Sequence, residues 1–505
     1  MQPEHAYRAR QETGLAVLVG IASQVSFGMA EAATTIIPAL PPARPAKNLD
    51  RELSGDRDGV LPGDSISDER LGVVRSLRDR LSADHLVRNS LYLMVSAVVQ
   101  AGLGFAFWLL MARLFSPEDV GKASSLISAT TFTAYFAMVG LNTTVMRFFP
   151  TATNKGSLLT AAFVMVSGAA AAIAVGYVML TPIVAPKLDF VAHSALMTAG
   201  FALMAAATAV NVVTDSVFMA SRRSELCAIT DGFVGGGGKI IFGVILAGTG
   251  AYGLYLAAVG GFAAAAVVSI VLIVVILQWR PSLSNPLKTL KPLLKFSGAN
   301  YVANAMNFLP SVVVPLIVLD RLGATAAGYY FVAFQMAAIL YAAVAAVESS
   351  FMAEGSQAGA NWRVIRRRSR RLAIMLFVPG GVVTALAAHW ILLAFGRGGA
   401  YSVHGTASLE ILAAAVVPIA ACNWGWTVLR LVGRLGALVA SNAVYAAAIC
   451  GSAWFLAPHG LTALSLAWLA GSALAAAVST ILAAAVRAPA RHRRTTRPHT
   501  EAGVA

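Results

Sequence analysis

Gly140-Leu-Asn-Thr-Thr-Val-Met-Arg147-Phe-Phe-Pro150 closes a long apolar run that begins near Gly121. Its last turns carry one cation, Arg147, and the run stops at proline. An apolar helix of that length spans a membrane, and a cation at its end faces water or binds an anion.

The rest of the chain fits this reading. Of its 505 residues, 58% are apolar and only 12% are charged, and the mean hydropathy is +0.72. Long apolar runs alternate with short basic loops, the pattern of an all-α polytopic membrane protein. From Arg88 onward twelve spans can be counted, at about 89–112, 122–149, 157–181, 194–220, 226–248, 252–278, 297–319, 324–349, 372–395, 406–429, 435–456 and 461–486. Each exceeds the ~20 residues that cross about 30 Å of hydrocarbon at 1.5 Å per residue.

The net charge of +15 invites a nucleic-acid reading, which the placement of the cations excludes. Of 38 Lys and Arg, 25 fall at the end of the bundle where the first span begins, and 5 at the other: Arg113, Lys122, Lys187, Arg321 and Arg397. Such a bias places both termini of the twelve-span unit in the cytosol. Residues 1–88 form a largely disordered tail, polar over 41–85 and weakly apolar over 15–40. Signal-peptide cleavage near Ala30 would invert every later loop, so 15–40 reads as a non-spanning segment, with an extra span as the permitted alternative.

The connection 279–296 carries four cations and three prolines, and divides the chain into two six-span lobes, 89–278 and 297–486. A basic cytosolic tail, 487–505, follows. The lobes echo each other: Arg113-Leu-Phe-Ser-Pro-Glu-Asp-Val-Gly121 follows span 1, and Arg321-Leu-Gly-Ala-Thr-Ala-Ala-Gly328 follows span 7. Duplication of this kind is usual in secondary transporters, which handle substrate between the halves.

Polar residues within the spans are the candidate site. Lys239 lies about thirteen residues into span 5, in Asp231-Gly-Phe-Val-Gly-Gly-Gly-Gly-Lys239-Ile. A P-loop needs glycine where Phe233 stands and Ser or Thr where Ile240 stands, so that reading fails. Four glycines in a row point to a hinge, an unwound turn or close helix packing. Lys239 is either a structural ion pair or a cation facing a wet cavity that receives an anionic head group. Asp215 is its nearest partner in depth, able to neutralise it or to serve ion coupling, and Asn211 lies one turn away on the same face. Asp231, nearer the basic end, is expected to pair with Arg222 or Arg223, and Glu348 to be solvated at that boundary. In span 7, Ser297, Asn300, Asn304, Asn307 and Ser311 recur at spacings of 3 and 4, giving a polar stripe. The stripe is interhelical glue or a cavity wall offering hydrogen bonds to sugar hydroxyls. The basic run Arg363–Arg371 reads as a topology anchor against anionic lipid. No metal-ligand or cofactor motif appears, no catalytic constellation is seen, and Cys227, Cys422 and Cys450 show no CxxC spacing.

Ala112-Arg-Leu-Phe-Ser-Pro-Glu-Asp-Val-Gly121, Gly140-Leu-Asn142 and Arg147-Phe-Phe-Pro150 resemble the opening of the polysaccharide-biosynthesis flippases. These belong to the multidrug/oligosaccharidyl-lipid/polysaccharide exporter (MOP) superfamily. Asn300-Tyr301, Ala353-Glu-Gly355, Phe395-Gly396 and Arg430 with Gly433-Arg434 extend the likeness over about 86–486. The resemblance implies two pseudo-symmetric six-helix lobes opening alternately in the plasma membrane. It also implies a polyprenyl-linked glycan as substrate, carried to the outer leaflet. By type and location, Lys239 and Arg147 are the candidates for the lipid diphosphate, Asn300, Asn304 and Asn307 for the glycan, and Asp215 for coupling to H⁺ or Na⁺. The alternatives are a cation-coupled multidrug exporter of the same superfamily, a membrane glycosyltransferase or a non-transporting scaffold.

Overall fold

The computed structural model describes residues 85–152, 154–282, 298–355, 362–396 and 398–485. The expectations for 1–84, for 487–505 and for most of 279–296 lie outside the described residues.

Span 1 is His85–Leu114. Span 2 begins as Pro117–Met138. Ser-Pro-Glu-Asp is a strong helix start: Ser116 Oγ accepts from Asp119 N at 3.1 Å, Pro117 needs no donor, and two acids sit at the positive end of the helix dipole. Its buried hydroxyls are satisfied locally, as when Ser124 and Ser125 each donate to Gly121 O at 2.9 Å.

The stretch Gly140–Pro150 does not continue that helix. The chain bends by 49° at Val139 and Gly140, whose φ angles are 44° and 78°. A short helix, Leu141–Phe148, and a 3₁₀ turn, Phe149–Thr151, follow. Thr143 and Thr144 donate back to Gly140 O at 2.8 and 3.1 Å, securing the new start. Left-handed φ is natural for glycine, but for a β-branched valine it stores strain of about 1–3 kcal/mol.

Span 3 is Lys155–Val184, capped by Asn154, and span 4 is Ala195–Ala220, capped by Ser194. Span 5 runs Glu225–Ile245 and contains a π-helical segment, Ala228–Gly235. Span 6 is Gly250–Ile276. The second lobe comprises span 7, Gly298–Leu322, span 8, Ala324–Gly355, and span 9, Trp362–Leu393. Span 10 follows as Ala400–Ala414 and Val416–Leu431, span 11 as Leu435–Leu456 and span 12 as Leu461–Ala484. Among the described residues the chain is all-α, and ten helices, or eleven with the bent pair of span 2 counted as one, are long and apolar enough to cross a membrane; they form two lobes packed chiefly through spans 2, 7 and 8.

At the cation-poor end the lobes meet backbone to backbone. A Cβ on Gly121 would lie 1.8 Å from Ala324 O, and one on Gly328 would lie 2.0 Å from Pro117 O. Only glycine allows this approach. Two cations of the first lobe reach helix ends of the second. Arg113 donates to Ala394 O from Nη2 at 3.0 Å and Nε at 3.3 Å, and Lys187 Nζ donates to Leu319 O at 2.9 Å and Asp320 O at 2.7 Å. Carbonyls at the C-terminal end of a helix carry its negative pole, so each contact with a cation is favourable. Trp108 packs edge-on against Phe331 beneath them, with centroids 4.6 Å apart. Toward the basic end, Tyr301 stacks on Tyr135 at 5.9 Å and donates to Phe136 O at 3.3 Å.

Gly121→Leu is expected to force spans 2 and 8 apart, costing about 1–3 kcal/mol. It should lower the melting temperature in detergent and raise labelling of Phe331→Cys by a membrane-impermeant maleimide. Gly168→Ala, where a Cβ meets nothing within 4 Å, should change neither.

Candidate functional site

Between the lobes lies a cavity of about 220 Å³. Its wall is largely apolar, with aromatic rings that include Trp108, Tyr135, Phe262, Phe308, Phe334 and Trp468, and its polar contributors include Thr208, Asn211, Asn307 and Gln335. Among the described lining residues one carries a formal charge: Lys239.

The local sequence explains how that lysine is placed. The π segment widens the turn just before it, a device common at functional sites. The glycines then let neighbouring helices close in: a Cβ on Gly236 would lie 2.8 Å from Leu103 Cδ1 of span 1. Gly261 of span 6 leaves a slot for the lysine stem, because a Cβ there would lie 2.4 Å from both Lys239 Cγ and Gly235 O. The ammonium rests 3.5 Å from the centroid of Phe262. A desolvated contact of this type contributes about 2 kcal/mol. Among the described residues, Lys239 enters no ion pair within 4.0 Å.

Behind the cavity wall lies a buried acid pair. Asp231 sits within the π segment, and Asn211 of span 4 donates to its Oδ1 at 3.0 Å. Asp231 therefore turns inward and does not take up the expected pairing with Arg222 or Arg223. Asp215 is 3% exposed and lies within hydrogen-bonding reach of the Asp231 carboxyl; apart from a proton shared with that carboxyl, neither of its oxygens has a donor. Of the two acids, Asp231 is the one whose charge acts on Lys239. Asn211 belongs to both places, as it lines the cavity and binds the acid.

The second lobe carries a separate network. Arg430 Nη1 lies 3.5 Å from Glu348 Oε1, Arg430 Nη2 donates to Asn304 Oδ1 at 3.1 Å, and Thr427 donates to Glu348. Glu348 is buried, not solvated as its position near the span end implied. Asn304 therefore works as a strut joining span 7 to span 10.

The structure brings Lys239 and Asn307 to one cavity. Arg147 is exposed at the basic end, 5.7 Å from the Phe148 ring, and is not part of the cavity lining. Asn300 is in the first turns of span 7, and its side chain lies outside the described residues. Sequence reasoning missed Phe262, Gly261 and Gln335. The Gly260-Gly261-Phe262 run in span 6 was the available signal, small residues where a helix must approach another.

The sequence profile of a family described as "Polysaccharide biosynthesis protein" matches residues 110–398, more than half of the chain. The chain belongs to this family. No curated protein sequence matches it. Solved structures share its fold. A multidrug resistance MATE family transporter of the MOP superfamily, in an inward-facing conformation, aligns with a TM-score of 0.61 at 12% identity, over 78% of this chain and 97% of that one. The lipid II flippase MurJ, in an inward closed conformation, gives 0.62 at 12% identity over 78% and 87%. A MOP superfamily transporter from Pyrococcus furiosus, described as having a binding pocket of reverse polarity, gives 0.52 at 14% identity over 79% and 94%. The fold is the one these solved transporters have.

Arg430→Ala should cost about 3–5 kcal/mol, because it strands a buried carboxylate. The thermal melt of the purified protein reads this directly. Combining Glu348→Gln with Arg430→Met should recover much of the loss.

Proposed function

We propose that this protein is a flippase, a transporter without catalytic chemistry. It carries a polyprenyl-diphosphate-linked glycan from the cytosolic to the outer leaflet of the plasma membrane for cell-surface polysaccharide synthesis. The observation that carries this reading is the ammonium of Lys239, the one charged group among the described lining residues of an amide- and aromatic-bearing cavity between two lobes. A fixed cation in such a place selects for an anion, and a diphosphate supplies one.

The basic end of the bundle is assigned to the cytosol by its excess of Lys and Arg, which puts the C-terminus there. The diphosphate meets Lys239, and the first sugars meet Asn307 and Gln335, with aromatic faces beside them. The lipid tail stays in the bilayer. A cavity of about 220 Å³ takes the head of such a substrate and not its whole length, so the lobes must part during transport. Rocking of the lobes about their shared contacts, alternately opening each side, is the motion assigned. Arg147 acts as a snorkelling anchor at the cytosolic surface, with Asn300 on the route inward. Asp215, with Asp231, is the site assigned to coupling with H⁺ or Na⁺.

A cation-coupled multidrug exporter is the second reading, favoured by that acid pair. The pair lies behind the wall, whereas the ammonium is in it, so a cationic drug would meet a like charge.

Lys239→Gln should reduce translocation of lipid-linked glycan into vesicles by about ten- to a hundredfold, the value of one charge-assisted hydrogen bond. Gly261→Val should act similarly by displacing the lysine stem. Unchanged translocation in both variants, at normal protein level, would remove Lys239 from the mechanism.

A further inference from the structure

Span 9 starts well outside the hydrocarbon. Its helix runs Trp362–Leu393, but only Ala373–Leu393 is apolar enough to cross a membrane. The three turns ahead of Ala373 lengthen the helix by about 16 Å at 1.5 Å per residue. Six of their residues are arginines and none is an acid. Five of the six, at positions 363, 366, 367, 370 and 371, follow the i, i+3, i+4, i+7, i+8 pattern of one helix face. Arg367, Arg370 and Arg371 are exposed. Among the described residues none of these three meets a carboxylate within 4.0 Å. Like charges three and four apart on a helix repel, so the stripe gains from an anion laid along it.

Lipid covers only part of that stripe. The head-group layer adds about 5–8 Å on each side of the hydrocarbon, so a helix near the membrane normal carries positions 363, 366 and 367 past it into water. A matching stretch lies in the same chain. Between Asp50 and Glu69 there are seven acids and two arginines, a net charge of −5 in a chain of +15. This stretch precedes span 1, and spans 1 and 9, both odd-numbered, begin at the same end of the bundle. That placement holds whether or not 15–40 crosses the membrane, because 50–69 lies between that segment and span 1. Residues 70–84 connect it to His85, and a chain of that length reaches about 50 Å when extended. A twelve-helix bundle three or four helices deep, with axes about 10 Å apart, is no wider.

We propose that residues 50–69 dock on the arginine stripe at the start of span 9. Carboxylates meet guanidiniums there as charge-assisted, partly bidentate pairs. The tail enters the first lobe and the stripe belongs to the second, so the docked segment bridges the lobes at their basic end. It also occupies cations that would otherwise collect anionic head groups. The contact draws nothing from the role assigned to Lys239.

The test is pulsed electron paramagnetic resonance on the full chain in vesicles, with nitroxides on Ser67→Cys and on Ser369→Cys, which lies off the stripe. Cys450, the native cysteine that is not buried, is replaced by alanine. Docking predicts a dominant spin–spin distance below about 30 Å, two label arms and a helix diameter. It should hold in phosphatidylcholine alone and in its mixture with phosphatidylglycerol. Raising salt from about 0.1 M to 1 M shortens the Debye length from about 10 Å to 3 Å and should abolish the short distances. Arg367→Glu with Arg370→Glu and Arg371→Glu should abolish them at low salt, and adding Asp64→Lys, Asp68→Lys and Glu69→Lys should restore them. Short distances confined to vesicles without phosphatidylglycerol assign the stripe to lipid and overturn the proposal. A broad distribution at low salt, or short distances indifferent to salt or to the reversal, overturns it as well. So does a charge-swapped chain of unchanged melting temperature that fails to regain them. The salt dependence is read with both sets of charges intact, so poor folding of a reversed variant does not blunt the result.

Discussion

Two helices from different lobes touch through their backbones at Gly121 and Gly328, and most of the architecture is arranged around that contact. Neither residue has a side chain to hold spans 2 and 8 apart, so carbonyl oxygens lie where a Cβ would otherwise sit. The contact fixes how closely the lobes approach at the cation-poor end. It thereby places Trp108 against Phe331, and it brings Arg113 and Lys187 within reach of helix ends across the interface. The two glycines are also the closing residues of the stretches that echo each other after spans 1 and 7. Corresponding positions that meet face to face are what a two-fold relation between lobes produces at its axis.

The second constraint is the cost of an ammonium in hydrocarbon. Lys239 is made tolerable by a slot at Gly261, a ring face at Phe262, an acid behind the wall and an amide-bearing cavity in front. None of these alone equals hydration of the ion. Together they leave the charge only partly compensated, which makes it available to a ligand. The buried Glu348–Arg430 pair in the other lobe is the contrasting case. There the partner acid, Thr427 and Asn304 all close on the charges, and the network joins helices without opening to the cavity.

The spans were legible because hydropathy acts on twenty residues at a time, and small errors at the ends do not change the count. The cavity lysine was legible for the related reason that one charge in such a run stands out. The break in span 2 was not, because it sits at Val139, a residue with no local preference for left-handed φ. Tertiary packing imposes it. Asp231 was misread because its depth near the basic end does not tell which neighbouring helix it faces, and it is Asn211 of span 4 that bonds it. Asn304 and Asn307 look equivalent in the stripe at three-residue spacing, yet one faces Arg430 and the other the cavity. That distinction depends on which helix lies opposite, and no single-helix pattern contains it.

The contacts that Arg113 and Lys187 make across the interface end on main-chain oxygens of Ala394, Leu319 and Asp320. Those acceptors survive any change of side chain at their own positions. At these two contacts a genetic screen for loosened lobes should therefore be lopsided, with single hits at the two donors in the first lobe. In the second lobe the corresponding hits must be prolines, deletions or insertions that move a helix end. Drift in the second lobe is thus buffered at these two contacts, in contrast to Gly328, where any side chain would meet Pro117 O.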